Sequence, residues 1–382
     1  MKRRRVLFVD HAAVLGGAEL SLLDLATAYR DTSEVLLFAD GPFRQRLEAA
    51  QVKVKVIPAP QSILAVKTSG GLSAVKALPA LWWMARQIAA AGRNFELVHA
   101  NSQKAFIAAA IATLMGGRPV VWHLRDIVTA QHFSSVNRAI AVFLANRRVS
   151  QVLVNSRATG EAFIAAGGRE DLVTLVYNGI GSDPFDNLAS DQSAQIRDQL
   201  GIGDAPLVGV FSRLSYWKGQ HILLEALQEL PNVHALLVGK ALFGEAEYAS
   251  RLEAMAAAPE LAGRVHMLGF RNDVPALMSA CNIVLHTSTE PEPFGRVIVE
   301  GQLAKRPVVA AAAGGAVELI QDGETGHLVP PGDSVALAKV IGNLLCDPRA
   351  ADSLAERGYI HAKSTFSLES LLMTFDQALN KV

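Results

Sequence analysis

Short apolar runs rich in Val, Ile and Leu alternate with longer stretches of helical periodicity from one end of this chain to the other. A parallel strand buried on both faces reads as such a run, and each return to the sheet needs a crossover helix. The alternation therefore dictates βαβ units and parallel sheets. A first series of expected strands comprises Val6–Val9, Val35–Ala39, Val52–Ile57, Leu97–Ala100, Pro119–Trp122, Val152–Asn155 and Leu172–Tyr177. A second comprises Leu207–Phe211, His234–Val238, Val265–Leu268, Ile283–His286, Val308–Ala311 and His327–Val329. Between them lies a polar, glycine-bearing segment from Asn178 to Asp191, which suits a hinge. At 382 residues the chain exceeds one ordinary core. The expected fold class is α/β: two Rossmann-like, doubly wound parallel-sheet domains, 1–182 and 183–363, facing a cleft. A terminal amphipathic helix follows over 364–382, with Phe366, Leu368, Leu371, Leu372, Phe375 and Leu379 on its apolar side.

Lys plus Arg and Asp plus Glu number 36 each, so no nucleic-acid partner is expected from phosphate neutralisation. Cys281 and Cys346 are the only cysteines, which fits a reducing, cytoplasmic setting without structural disulfides. The start is basic through Arg5, but the apolar run after it ends at Asp10-His11, too short for a signal-peptide core. No stretch reaches the length of uncharged apolar sequence that a spanning helix needs. The basic start, Trp82-Trp83, and Arg138, Arg147 and Arg148 beside apolar residues motivate an expectation of peripheral contact with an anionic membrane.

The densest candidate chemistry lies between Glu290 and Glu300, in the order Glu-Pro-Glu-Pro-Phe-Gly-Arg-Val-Ile-Val-Glu. Glu292 falls in the loop at the carboxyl end of a strand and Glu300 in the helix that follows, where ligands of open α/β sheets bind. The amides of Gly295, Arg296 and Val297 open that helix, and such amides favour a phosphate. Read singly, each glutamate is equally a solvated surface acid. Arg213 and Lys218 share the loop after the first strand of the second series, a fork of donors and a point charge that suit a diphosphate. At the amino end, Gly16-Gly17 follows the first strand and opens a helix whose first amides could approach a ligand, or is simply a tight turn. His123 is read at a strand end, beside Arg125 and Asp126, where a side chain titrating near neutrality could orient a hydroxyl or move a proton. Phosphate-loop, His-Glu-x-x-His, Cys-x-x-Cys and Gly-x-Ser-x-Gly motifs are all missing, so no metal site is expected.

Taken in order, Gly16-Gly17, Asn178-Gly179-Ile180, Arg213 to Lys218, Glu292 to Glu300 and Gly314-Gly315-Ala-Val-Glu318 resemble the retaining GT-B glycosyltransferases of family 4, over nearly the whole chain. The resemblance implies an amino-terminal domain that binds the acceptor and a carboxy-terminal domain that binds a nucleotide sugar, with the last helix crossing back to the first domain. It implies that Glu300 holds the ribose, Glu292 faces the donor sugar, and Arg213 and Lys218 take the diphosphate. Amides near Gly295 and Arg296, with Phe294 and Val297 in the same turn, and Gly16 and Gly17 would assist. Arg271 would line the base, and His123 would contact the sugar. The implied partners are a nucleotide sugar, UDP-linked, and a glycan or lipid-linked acceptor. No cofactor or metal is implied, because cations stabilise the leaving group. Gly181 stands where the family carries Asp. A sugar-nucleotide 2-epimerase and a non-catalytic nucleotide-sugar binder are the alternatives on the same fold.

Overall fold

A computed structural model describes residues 3–60, 78–129, 133–242 and 244–382. Its strands are β1 Val6–Asp10, β2 Ser33–Leu37, β3 Val54–Val56, β4 Leu97–Ala100, β5 Val120–Leu124, β6 Gln151–Val154 and β7 Val173–Leu175, then β8 Leu207–Phe211, β9 His234–Val238, β10 Val265–Gly269, β11 Ile283–His286, β12 Val308–Ala311 and β13 His327–Val329. They form two sheets, ordered β3-β2-β1-β4-β5-β6-β7 and β10-β9-β8-β11-β12-β13, with parallel pairing throughout. Each order reverses once, between β1 and β4 in one sheet and between β8 and β11 in the other. Neighbouring loops diverge at such a reversal, and the carboxyl ends of the two strands frame a crevice.

The chain separates into two compact units, one holding the residues up to Gly179 together with Leu368–Val382, the other Ile180–Ser367. The expected divisions at 182 and 363 thus shift by a few residues. The Leu368–Leu379 helix belongs to the first unit because its apolar side is built into that unit's core. Leu371, Phe375, Ala378 and Leu379 are buried with Val6, Phe8, Leu22 and Leu25. Phe375 stacks on Phe8 at 6.4 Å and meets Tyr29 edge-on at 5.6 Å. The Tyr29 hydroxyl donates to Asp376, and the Arg4 guanidinium donates to the Leu379 carbonyl. Each fully buried side chain of this size contributes about 1.5–3 kcal/mol, so the helix is firmly held.

Several strand boundaries differ from the sequence reading. β2 begins at Ser33, whose backbone pairs with Val6, so a buried serine extends a strand that apolarity alone starts later. β3 is cut to three residues at the sheet edge, where one side has no neighbour to pair with. β5 runs through His123 to Leu124, so His123 lies inside the strand rather than beyond it.

Candidate functional site

In the second unit, the loops leaving β8 and β11 meet at the sheet's reversal point. The loop after β8 makes a 3₁₀ turn over Tyr216–Lys218 and ends on Gly219 at φ 67°. A Cβ at Gly219 would sit 2.0 Å from the Thr287 carbonyl oxygen, so only glycine permits the two loops to touch here. The Thr289 amide donates to the Trp217 carbonyl at 2.8 Å, and the Thr287 hydroxyl donates to the Lys218 carbonyl at 2.8 Å. Buried Gln220 holds the other end of the loop by donating to Ser212 Oγ and to the Arg213 carbonyl.

This stitching brings Lys218 Nζ to 2.6 Å from Glu292 Oε1. The other carboxylate oxygen, Oε2, lies 2.6 Å from His286 Nε2 and accepts from Ser288 Oγ at 3.1 Å. Burial by itself would raise the Glu292 pKa. The Lys218 charge and the hydrogen bonds from His286 and Lys218 outweigh it and hold the carboxyl well below its ordinary range. Glu292 is therefore ionised and acts only as an acceptor, which fixes the His286 proton on Nε2. Burial and the Arg213 charge pull the Lys218 pKa down while Glu292 pushes it up. On balance the Lys218 pKa lies below its ordinary value, burial outweighing Glu292, while three donors converge on the Glu292 carboxylate. The Trp217 ring lies under both cations, 4.1 Å from Lys218 Nζ and 5.4 Å from the Arg213 guanidinium carbon.

Two glycines after β12 cradle the Glu292 backbone. Gly314 bridges to Glu292 as a parallel strand pair, and the Gly315 amide donates to the Glu292 carbonyl at 2.7 Å. A Cβ on Gly314, which has φ 62°, would fall 2.3 Å from that carbonyl oxygen. The Arg296–Leu303 helix starts one step beyond Gly295 at φ 98°, and in its first turns Arg296 Nε lies 3.3 Å from Glu300 Oε1. Arg296, Val297 and Glu300 are all half-buried. The Phe294 ring is 3% exposed and packs edge-on against Phe366 at 5.9 Å. Arg271 follows the edge strand β10, and its guanidinium is engaged by Asp273 at 2.6–2.8 Å. It is not drawn into the Lys218–Glu292 cluster.

The first unit has its own polar cluster at the carboxyl ends of β1, β4 and β5. Asp10 is fully buried and accepts from Asn101 Nδ2 at 2.6 Å and from the His11 amide at 2.6 Å. Burial would raise the Asp10 pKa, but the hydrogen bond and charge of His11, with the bond from Asn101, hold it below its ordinary value. Arg125 donates to Asn101 Oδ1 (3.0 Å), Ser21 Oγ (2.9 Å) and Asn178 Oδ1 (2.5 Å), and approaches His123 Nδ1 at 3.2 Å. His99 Nε2 lies 3.1 Å from the same His123 nitrogen.

His123 is thus corrected as a proton carrier titrating near neutrality. It is fully buried, and burial, then Arg125 and His99, drive its pKa well below the ordinary value. Arg125 can only donate, so His123 Nδ1 accepts and the ring proton sits on Nε2, which has no partner among the described residues. The Gly16 amide, read as open to a ligand, is also taken: it donates to Glu19 Oε2 at 2.9 Å, so the N3 glutamate of the Gly17–Ala28 helix caps its own start. Burial, then the Asp10 charge, pushes the Glu19 pKa up to about 7. Among the described residues no group of three or more His, Cys, Asp or Glu side chains could hold a metal ion.

Residues 192–361 match the family model described as glycosyl transferases group 1, and residues 16–179 match that of the glycosyl transferase 4-like domain. The fold aligns over 99% of this chain with the whole of Anabaena HepE, crystallised with UDP and glucose, at a TM-score of 0.91 and 41% identity. The GDP-mannose-dependent alpha-(1-6)-phosphatidylinositol monomannoside mannosyltransferase of Mycolicibacterium smegmatis is 30% identical over 66% of this chain and 69% of its own. The lipopolysaccharide core biosynthesis glycosyltransferase LpsE of Rhizobium meliloti is 32% identical over 46% of this chain, a match that spans only half (50%) of that relative.

Proposed function

The chain belongs to the group 1 glycosyltransferases and has their GT-B architecture, and from that premise we propose that it moves a hexose from a UDP-linked donor to a glycan or lipid-linked acceptor, with retention of anomeric configuration. The observation that carries the reading is the Lys218–Glu292 pair at the β8/β11 reversal point, with Arg213 beside it and Glu300 in the following helix. UDP is preferred because HepE is 41% identical and its crystal structures hold UDP-glucose. The setting is polysaccharide or lipopolysaccharide assembly on the cytoplasmic side of a membrane, in keeping with the lipopolysaccharide core biosynthesis in which LpsE acts.

In this reading the donor diphosphate lies against Arg213 and Lys218 and takes up the ammonium that Glu292 now holds. Glu292, ionised and still anchored by His286 and Ser288, accepts hydrogen bonds from hydroxyls of the sugar. Glu300 accepts from the ribose hydroxyls, and the amides opening the Arg296–Leu303 helix face a phosphate. The glycosidic C–O bond to phosphate breaks as positive charge grows on the anomeric carbon. The acceptor oxygen bonds to the same face, and its proton passes to the departing phosphate. The two cations stabilise the negative charge that accumulates on the leaving group, so the reaction proceeds without a divalent ion.

The test is turnover of UDP-, GDP- and ADP-hexoses in EDTA with lipid-linked oligosaccharide acceptors, reading the product anomer by proton NMR. The expected product keeps the donor's anomeric configuration. An inverted product, or turnover only with an added divalent ion, contradicts the reading. Release of nucleotide with a rearranged sugar and no acceptor assigns epimerase chemistry instead.

A further inference from the structure

The 3₁₀ turn over Tyr216–Lys218 carries two aromatic rings and a lysine at successive positions, and with about three residues per turn their side chains leave in three directions. Tyr216 turns away from the ion pair: it is 54% exposed, and its ring stacks on His221 at 4.8 Å. Trp217 turns toward the pair and is half-buried, with Lys218 Nζ 4.1 Å and the Arg213 guanidinium carbon 5.4 Å from the centre of its ring. The Trp217 carbonyl accepts from the Thr289 amide at 2.8 Å and from the Thr289 hydroxyl at 3.3 Å, which fixes its backbone to the loop that carries Glu292. The Arg213 side of the loop is fixed as well. The Leu214 amide donates to the Lys240 carbonyl at 2.9 Å, and a Cβ on Gly239 would fall 1.9 Å from the Ser212 carbonyl oxygen.

Two cations gathered over one ring repel each other. Burial, and after it the Arg213 charge, draw the Lys218 pKa down against the pull of Glu292. Glu292 answers only part of this repulsion: its carboxylate holds the Lys218 ammonium at 2.6 Å, and it must release that ammonium to a bound diphosphate. Another carboxylate beneath the cations would compete with the incoming phosphates for the same N–H groups and would repel them. An indole face attracts both cations through its quadrupole, brings no net charge, and leaves the N–H groups in the guanidinium plane to phosphate oxygens. Tryptophan offers the strongest such face among the aromatic side chains.

We propose that Trp217 is a positioning residue of the donor site: its ring is a neutral counter-surface that holds Arg213 and Lys218 side by side and keeps Lys218 in place when its ammonium passes from Glu292 to an incoming diphosphate. This role rests on the donor reading of the Lys218–Glu292 cluster, and the two fail separately. In the test, tryptophan carrying a growing number of ring fluorines is installed at position 217 of the full chain. Fluorine draws charge from the face of the ring while leaving its shape nearly unchanged, so an unchanged unfolding midpoint is expected along the series. Trp217→Phe and Trp217→Leu complete the set. Inorganic pyrophosphate and UDP are titrated in EDTA by calorimetry. The expected result is an affinity for both that falls stepwise with fluorine number, by at least about fivefold across the series, with Trp217→Leu binding most weakly. A ring that only packs leaves affinity flat along the fluorinated series even where Trp217→Leu weakens binding, and that result overturns the proposal. So does absence of pyrophosphate binding to wild type. Pyrophosphate binding that declines along the series while UDP fails to bind supports the role of Trp217 and overturns the uridine donor instead.

Discussion

Lys218 Nζ lies 2.6 Å from Glu292 Oε1, although the two residues leave different strands and are held together by Gly219 and by the Thr287 and Thr289 bonds to the Trp217–Lys218 backbone. A buried ion pair built in this way is costly to half-dismantle. Lys218→Ala leaves the Glu292 carboxylate with only His286 and Ser288, and should destabilise the second unit by about 3–5 kcal/mol. Adding Glu292→Gln removes the stranded charge and should recover part of the loss. Urea unfolding of the two single variants and the double variant measures the coupling. Additive losses would mean that the pair does not interact.

The glycine cradle makes a sharper demand. Gly314→Ala forces a left-handed alanine whose Cβ would meet the Glu292 carbonyl oxygen, so the Glu292 loop must move. The expected cost is about 1–3 kcal/mol, with donor affinity falling further than stability alone explains. Ala at Gly323, also at positive φ but with open space around its Cβ, is the control for backbone strain without the collision. Equal losses of donor binding at the two positions would show that the cradle is irrelevant to the site.

Buried His99 and half-buried Glu19 of the first unit give opposite pH dependences. The His99 pKa is lowered to about 3, by burial and then the Arg125 charge, so the unfolded chain binds the proton more tightly. Its contribution is fully present above about pH 6.5 and is lost as pH falls toward 3. Glu19 is raised to about 7, so the folded chain binds its proton more tightly, and its contribution is present below about pH 4.5 and lost as pH rises through 7. Each slope is at most about 1.4 kcal/mol per pH unit. Unfolding free energies measured from pH 4.5 to 7.5 should show the rising-pH loss abolished in Glu19→Gln and the falling-pH loss reduced in His99→Gln. Parallel curves for all three proteins would contradict both assignments.

The sheets were readable because parallel strands buried on both faces leave continuous apolar runs, and β4, β8, β9, β11, β12 and β13 fall where those runs place them. β2 and β5 were displaced at their ends by the buried polar residues Ser33 and His123, which apolarity does not register. Glu292, Arg213 and Lys218 stood out as charged residues in loops that leave strand ends, and Glu300 by its place in the helix that follows; read singly, none of them was distinguishable from a solvated charge. His286 did not stand out, since a histidine closing an apolar strand reads as core; only the fold reveals its Nε2 against Glu292. The contact of the Phe294 ring with Phe366 was not legible either, because the two are distant in sequence. The Glu19 cap on Gly16 was legible in principle, because a glutamate three residues after the N-cap is the spacing of a capping box.

Isothermal calorimetry of UDP-, GDP- and ADP-hexose binding in EDTA, comparing wild type with Glu300→Gln and Lys218→Ala, each first shown to be folded by circular dichroism, tests the donor site most directly. The account predicts metal-independent binding of the UDP-sugar to wild type and loss of at least about tenfold in both variants. Failure of every nucleotide sugar to bind, or wild-type affinity in both variants, would contradict it.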